Sequence, residues 1–179
     1  VRLRRRTGTP ADPQIGFADF VHRRSAALFR TAYLLTGDRH LAEDLLQEAL
    51  EKACRHWKRV AATDSPEAYV RRIVVNLAND RWRRLTRNGL RVESDLDALA
   101  DPGSDPYGTV DLRDELIHAL HALPIGMRSV VVLSYLHDLD DRQIADVLNI
   151  TPGAVRSQLA RGLAKLRTAA ARPTPEGAR

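Results

Sequence analysis

An all-α protein of two small helical domains is what this sequence predicts, and three observations predict it. Apolar residues recur at spacings of three and four along most of the chain, the period of a helix with one buried face. Helix-starting residues (Ser, Thr or Asp) and helix-ending Gly fall where those patterns begin and end. Between residues 88 and 110 the periodicity vanishes, and Gly89, Pro102, Gly103, Pro106 and Gly108 mix with Glu93, Asp95, Asp97, Asp101 and Asp105. That composition makes an acidic, flexible linker. It separates a domain over 14–87 from a second over 111–170, with disordered tails at 1–13 and 171–179.

The first helix is expected from Phe17 to Leu35, where Phe17, Phe20, Val21, Leu28, Ala32 and Leu35 share a face and Gly37 ends the run. Asp38 can cap the second, DRHLAEDLLQEALEKACRHW, the most strongly amphipathic stretch of the chain. Leu41, Leu45, Leu46, Ala49, Ala53 and Trp57 form its buried stripe, and Cys54 among them reads as a packing residue. Glu43, Asp44, Gln47, Glu48 and Glu51 crowd the polar side, an acidic ridge in a basic protein. A solvated face is the plain reading of such a ridge. A basic protein partner is the sharper one.

The third helix starts at Ser65, with Pro66 in the first helical position and Glu67 in the first turn. Val70, Ile73, Val74 and Leu77 point inward. The other faces hold Arg71, Arg72, Asn76, Asn79, Arg81, Trp82, Arg83 and Arg84. Cations interleaved with an aromatic ring and amides suit a single nucleic-acid strand: cations reach phosphates, rings stack and amides read base edges. Trp82 either packs or stacks on a base.

Past the linker, Asp111 can cap LRDELIHALHAL, with Leu112, Leu116, Leu120 and Leu123 inward, and Pro124 opens IGMRSVVVLSYL. Residues 140–167 then read as two helices around a sharp corner. Asp140 and Gln143 make a capping-box pattern, and Ile144, Ala145 and Leu148 give one apolar edge. Asn149 and Ile150 form the corner; Thr151 caps the second helix and Pro152 opens it. Val155, Leu159, Leu163 and Leu166 pack inward, opposite Arg156, Ser157, Arg161 and Lys165. This is the plan of a helix-turn-helix, whose second helix enters the DNA major groove. An ordinary αα-hairpin with a solvated basic face is the plain alternative.

A net charge of +5 over 179 residues, with a pI near 9.9, favours an anionic partner. No apolar run is long enough to span a bilayer, since AALFRTAYLL is broken by Arg30 and stopped at Thr36 and Gly37. The basic N-terminus lacks the apolar core of a signal peptide, so a cytoplasmic location is expected. A lone Cys54 excludes an internal disulfide framework. His118 and His121 lie three apart and His137 follows, but no Cys or carboxylate joins them at ligand spacing, so no metal or other cofactor is expected. Neither a Gly-rich phosphate loop nor a nucleophile elbow occurs, and an enzyme is not expected.

With both halves read, the chain resembles the extracytoplasmic-function (ECF) class of bacterial sigma factors, from about Phe17 to Arg167. AYLLTGDRHLAEDLLQEALEKACRHW is similar to the family's region 2.1–2.2, SPEAYVRRIVVNLANDRWRR to region 2.3–2.4, and the helix-turn-helix to region 4. The PEAYVRR and WRR segments are most like an actinobacterial branch. The resemblance implies a promoter-specificity subunit with just these two domains, partnered by core RNA polymerase (the β′ clamp helices and the β subunit) and promoter DNA, with room for an anti-sigma factor. It implies that Asp44, Gln47 and Glu48 dock on the clamp helices. Tyr69, Asn76, Asp80, Arg81, Trp82, Arg83 and Arg84 would meet the −10 element, and Thr151, Arg156, Ser157, Ala160, Arg161 and Lys165 the −35 element. The competing function is a stand-alone helix-turn-helix regulator, which has no need for the basic, aromatic stretch of residues 76–84.

Overall fold

The computed structural model describes residues 13–87 and 114–170. The expected linker and almost all of the two tails lie outside the described residues, as do Asp111 and Leu112. Eight helices occupy the described residues: α1 Pro13–Thr36, α2 Arg39–Arg55, α3 Trp57–Ala61, α4 Pro66–Arg87, α5 Asp114–His121, α6 Ile125–His137, α7 Asp141–Leu148 and α8 Pro152–Ala170.

Local chemistry sets most of these boundaries. Gly37, at φ 68°, ends α1 in the left-handed region that favours glycine. Asp38 then accepts a 2.8 Å hydrogen bond from the Leu41 N–H and starts α2. The expected second helix breaks at His56, and the new turn α3 swings Trp57 back onto α1. There its ring meets Phe17 and Phe20, with centroids 5.1 and 5.0 Å away. Cys54 is exposed, a correction to its expected place in the core. Ala49 and Ala53 carry the inward stripe of α2, and Cys54 lies about 100° further round the helix.

In the N-terminal domain, α1, α2 and α4 enclose Leu28, Leu35, Leu45, Leu46, Val70 and Val74, all essentially buried. In the C-terminal domain α6 runs through the middle, buried over seven residues that include Val130, Val131, Val132 and Leu133. The inward face of α5 is Ile117 and Leu120, continued by Leu123; Leu116, expected inward, is 44% exposed. The stripe is rotated by one residue, with Ile117 buried in place of Leu116. Gly162 on α8 is buried against α6, and a methyl group there would sit 3.2 Å from Val131 Cγ2.

The two domains pack on each other: α1 touches α5 and α6, and α4 touches α6 and α7. At the centre is Arg128, fully buried in the first turn of α6. Its Nε donates to the Leu120 carbonyl at 3.0 Å, and Nη2 to those of His121 and Leu123 at 3.1 Å. Nη1 donates across the domain boundary to the carbonyl of Leu35, at the end of α1. The guanidinium also lies 5.4 Å from the centre of the Trp82 ring on α4. Two helix C-termini, α1 and α5, thus present carbonyls that no intrahelical N–H can reach, and one arginine serves both.

Gly37 belongs to the same junction, because a methyl group there would land on the imidazole of His121. Gly37→Ala is therefore expected to lower stability by about 1–3 kcal/mol, from left-handed strain and the clash together. Urea unfolding followed by circular dichroism checks it. A change of only a few tenths would show that neither the backbone angle nor the close approach matters.

Candidate nucleic-acid interface

The helix-turn-helix is built as its sequence dictates. Asp140 Oδ1 accepts from the N–H groups of Arg142 and Gln143 at 2.8 and 2.9 Å, and Gln143 Oε1 accepts from the Asp140 N–H at 2.9 Å, a complete capping box. Asn149 closes α7 in the left-handed conformation, φ 53°, and makes the corner. Thr151 Oγ1 then accepts from the Ala154 N–H at 3.2 Å and starts α8. Val155 is buried, whereas Arg156, Ser157, Ala160, Arg161 and Lys165 are all exposed. At about 100° per residue they sweep half the helix circumference, from Arg156 through Ala160 and Ser157 to Arg161, with Lys165 at the edge. No carboxylate lies on α8. Asp141 of α7 reaches Arg156 at 3.4 Å, an exposed ion pair worth at most about 1 kcal/mol, so little opposes transfer of that cation to another anion.

On α4 the sequence-predicted residues divide. Tyr69, Asn76, Asp80 and Arg83 fall within about 60° of one line along the helix, with Arg84 beside it. Arg81 and Trp82 lie on other sides. Tyr69, Asp80, Arg81, Arg83 and Arg84 are exposed; Asn76 and Trp82 are half-buried. Arg83 donates to Asp80 at 3.5 Å, and with Arg84 and Arg87 they line a shallow, net cationic hollow. One turn back, Asn76, Asp80 and Arg83 form one wall of a cleft whose other wall is the helix-turn-helix corner, Leu148, Asn149 and Ile150, with Gln158 of α8.

Asn79, expected on the polar side, is buried: Nδ2 donates to the Val75 carbonyl at 2.8 Å and to Ser129 Oγ on α6 at 3.0 Å. His137 is a second crossing point. Arg71 can only donate, so His137 Nδ1 accepts from it at 3.2 Å, and Nε2 carries the proton toward Thr31 Oγ1 at 2.9 Å. Thr31 passes its own hydroxyl hydrogen to the Ala27 carbonyl at 3.1 Å. That chain of donors works only with a neutral imidazole. Sequence reasoning gave Arg128, Ser129 and His137 no role in joining the domains. The one available signal was an Arg-Ser pair inside the apolar run of α6, which a helix buried on all sides must satisfy internally.

The acidic ridge is exposed at Asp44, Gln47 and Glu48. Glu48 pairs with Lys52 at 2.8 Å, and Gln47 donates to Glu51 at 3.2 Å. Beside it Phe17, Leu46, Leu50 and Cys54 floor an open groove. Within the described residues, α2 contacts α1, α3 and α4 and none of the helices of the C-terminal domain. No group of three or more His, Cys, Asp or Glu among the described residues could hold a metal ion. No helix among them is long and apolar enough to cross a membrane.

Comparison with known proteins assigns the two halves. A model of sigma-70 region 2 matches residues 20–88, and one of sigma-70 region 4 matches residues 113–166. The RNA polymerase sigma-E factor of Streptomyces avermitilis is 33% identical over 151 residues, covering 84% of this chain and 83% of that one. The ECF RNA polymerase sigma factor SigE of Mycolicibacterium smegmatis is 33% identical over 168 residues, 89% of this chain and 63% of that one. In fold, the sigma factor RpoE crystallised with the anti-sigma factor NepR from Bartonella quintana superposes with a TM-score of 0.64 at 20% identity, covering 89% and 99% of the two chains. CnrH, in complex with the cytosolic domain of CnrY, gives 0.57 at 23% identity over 87% of each chain. The chain belongs to the sigma-70 family in its ECF class: it is an RNA polymerase sigma factor, a subunit that directs core polymerase to promoters.

The histidines at the domain junction make stability depend on pH. His121 is held down to about 3 by burial first, then by the charge of Arg128 and by His118. His137 is held down to about 4 by burial and then by Arg71. Both lie below the ordinary histidine value of about 6.5, so the unfolded chain takes up protons that the folded chain refuses. Their contribution is present above about pH 6.5 and drains away as pH falls toward 4. The urea midpoint is expected to drop between pH 7 and pH 5, and His137→Asn to remove part of that drop. An unchanged midpoint across this window would contradict two neutral buried imidazoles.

Proposed function

We propose that this sigma factor works through three surfaces and supplies binding energy rather than catalysis. The ridge of Asp44, Gln47 and Glu48 docks on the clamp helices of the polymerase β′ subunit, and region 4 lies toward the β subunit. Tyr69, Asn76, Asp80 and Arg83, with Arg81, Trp82 and Arg84 around them, engage the −10 element and its exposed strand. Thr151, Arg156, Ser157, Ala160, Arg161 and Lys165 present the −35 reading face. The chain then acts where core polymerase is, in the cytoplasm. By analogy with the structural neighbour solved with the anti-sigma factor NepR, a protein inhibitor is a further partner.

One observation carries the assignment of the −35 face: the outer half of α8 holds cations and small residues without a single carboxylate, directly after a capped corner. Such a face can enter a groove lined with phosphates. Arg156, near the helix N-terminus, reads a base; Lys165, two and a half turns on, meets phosphate or solvent. Transcription with purified core polymerase on a library randomised across the −35 element tests this. Arg156→Ala is expected to cost about 1–3 kcal/mol at promoters carrying the preferred base pair and to relax preference at that position. A uniform loss over all sequences would reassign Arg156 to phosphate, and no loss would remove it from the interface.

For the ridge, Asp44→Arg or Glu48→Arg should weaken binding to core polymerase about tenfold, roughly 1.4 kcal/mol, with helicity unchanged. Titration of labelled core polymerase checks it. Equal affinity would place the docking surface elsewhere.

A further inference from the structure

Resting on the assignment of the α2 ridge to core polymerase, we infer that the chain's own arginine-rich segment, residues 2–6, seats itself in the groove beside that ridge and competes with polymerase for it. The groove is built from α2 and the start of α1. Leu46, Leu50 and Cys54 recur every four residues and make an apolar floor, flanked by Phe17 of α1. Glu43, Gln47 and Glu51, also four apart, make an acidic wall, and the whole encloses about 650 Å³. Glu51 accepts from the neutral Gln47 amide at 3.2 Å, which does not cancel its charge.

An apolar floor edged by carboxylates calls for an apolar side chain flanked by cations. The sequence Arg2-Leu3-Arg4-Arg5-Arg6, which precedes α1, has that form, and the first carboxylate after it is Asp12. Leu3 suits the floor, and the arginines can lay their stems along it while their guanidinium groups reach the wall.

Reach selects this occupant. Helices α1 and α2 run antiparallel: Phe17 meets the C-terminal half of α2, whereas the Phe29 ring lies 5.9 Å from the guanidinium of Arg39 at the start of α2. The chain therefore enters α1 at Pro13 beside the C-terminal end of the groove. Residues 7–12 can span about 20 Å at about 3.3 Å each. The groove from Cys54 to Glu43 runs about 17 Å along the helix. A segment tethered so closely meets the groove at an effective concentration in the millimolar range, so exposed ion pairs that are weak one by one can hold it. Gln47 belongs to both the groove and the ridge, so segment and polymerase exclude each other.

The test uses the full chain carrying Leu3→Ser, Arg4→Ser and Arg5→Ser, positions that precede α1 and are assigned to neither DNA nor polymerase. Amide NMR without polymerase reads the contact itself. Signals of Leu46, Gln47, Leu50, Glu51 and Cys54 should differ between native and substituted chains, and those of α8 should coincide. Titration of labelled core polymerase reads the competition. The substituted chain should bind about fivefold more tightly at low salt, since apparent affinity scales with the fraction of chains whose ridge is uncovered. That gain should shrink as salt rises. Coincident α2 signals overturn the contact. Differences that grow with protein concentration overturn it too, because they place the segment on a second copy. Unchanged or weaker polymerase binding overturns the competition. Asp44→Arg keeps the underlying assignment separate. If that variant binds core polymerase as the native chain does while α2 still responds to the segment, the ridge assignment falls, and the competition with it, whereas the contact is supported.

Discussion

A single buried guanidinium holds this molecule together. Arg128 sits where the C-terminal ends of α1 and α5 converge, and its N–H groups answer carbonyls that those helices cannot bond themselves. No carboxylate accompanies it among these contacts; helix dipoles and the face of Trp82 supply the negative potential. Burial pulls it down to about 10, so it stays charged at neutral pH. Because one of the carbonyls belongs to α1 and the others to the end of α5, the residue that finishes the C-terminal domain also fastens it to the N-terminal one. Removing the arginine would take this donor from the buried Leu35 and Leu123 carbonyls, one on each side of the junction, at about 1–3 kcal/mol for each group left unpaired, while the Leu120 carbonyl keeps the Leu123 N–H at 3.0 Å.

Much of this was legible in the sequence, and the reason is locality. The cap at Asp38, the stop at Gly37, the capping box of Asp140 and Gln143, the corner at Asn149 and the start at Thr151 and Pro152 depend on neighbours within four residues. Each is found as the sequence expects. The helix-turn-helix face was legible for the same reason, since Val155 inward places Arg156, Ser157 and Arg161 outward by rotation alone. What was not legible depends on partners far along the chain. Asn79 and Ser129 are 50 residues apart, and Thr31 and His137 are 106 apart. Nothing near Asn79 distinguishes an amide for bases from an amide for a serine. Leu116 and Cys54 failed differently: each sits next to a buried position, and a stripe read from sequence has an angular error of about one residue, or 100°.

Opposite charges on one small domain give the molecule an orientation. The outer face of α2 is acidic, while the end of α4 gathers Arg83, Arg84 and Arg87 around one carboxylate. A cationic protein surface and a polyanion are thus drawn to different sides of the same helical bundle. Electrostatic steering of this kind acts on approach, before any contact forms, and weakens as salt shortens its range. The chain's net charge of +5 hides this division, because it sums faces of opposite sign.

Gly162 carries a mechanical consequence. It lets α8 approach α6 closely: a methyl there would sit 3.2 Å from Val131, tighter than an ordinary contact, with Met127 and Leu123 in normal contact beyond. The helix also rests on α5 and α7, so several contacts seat it while the glycine sets how near it lies to α6. A methyl at this position would force Val131 to give by a few tenths of an ångström or push α8 outward. Arg156 rides on the same rigid helix, about 9 Å toward its N-terminus, so the stand-off of the exposed cationic face follows from a lone hydrogen on the buried one.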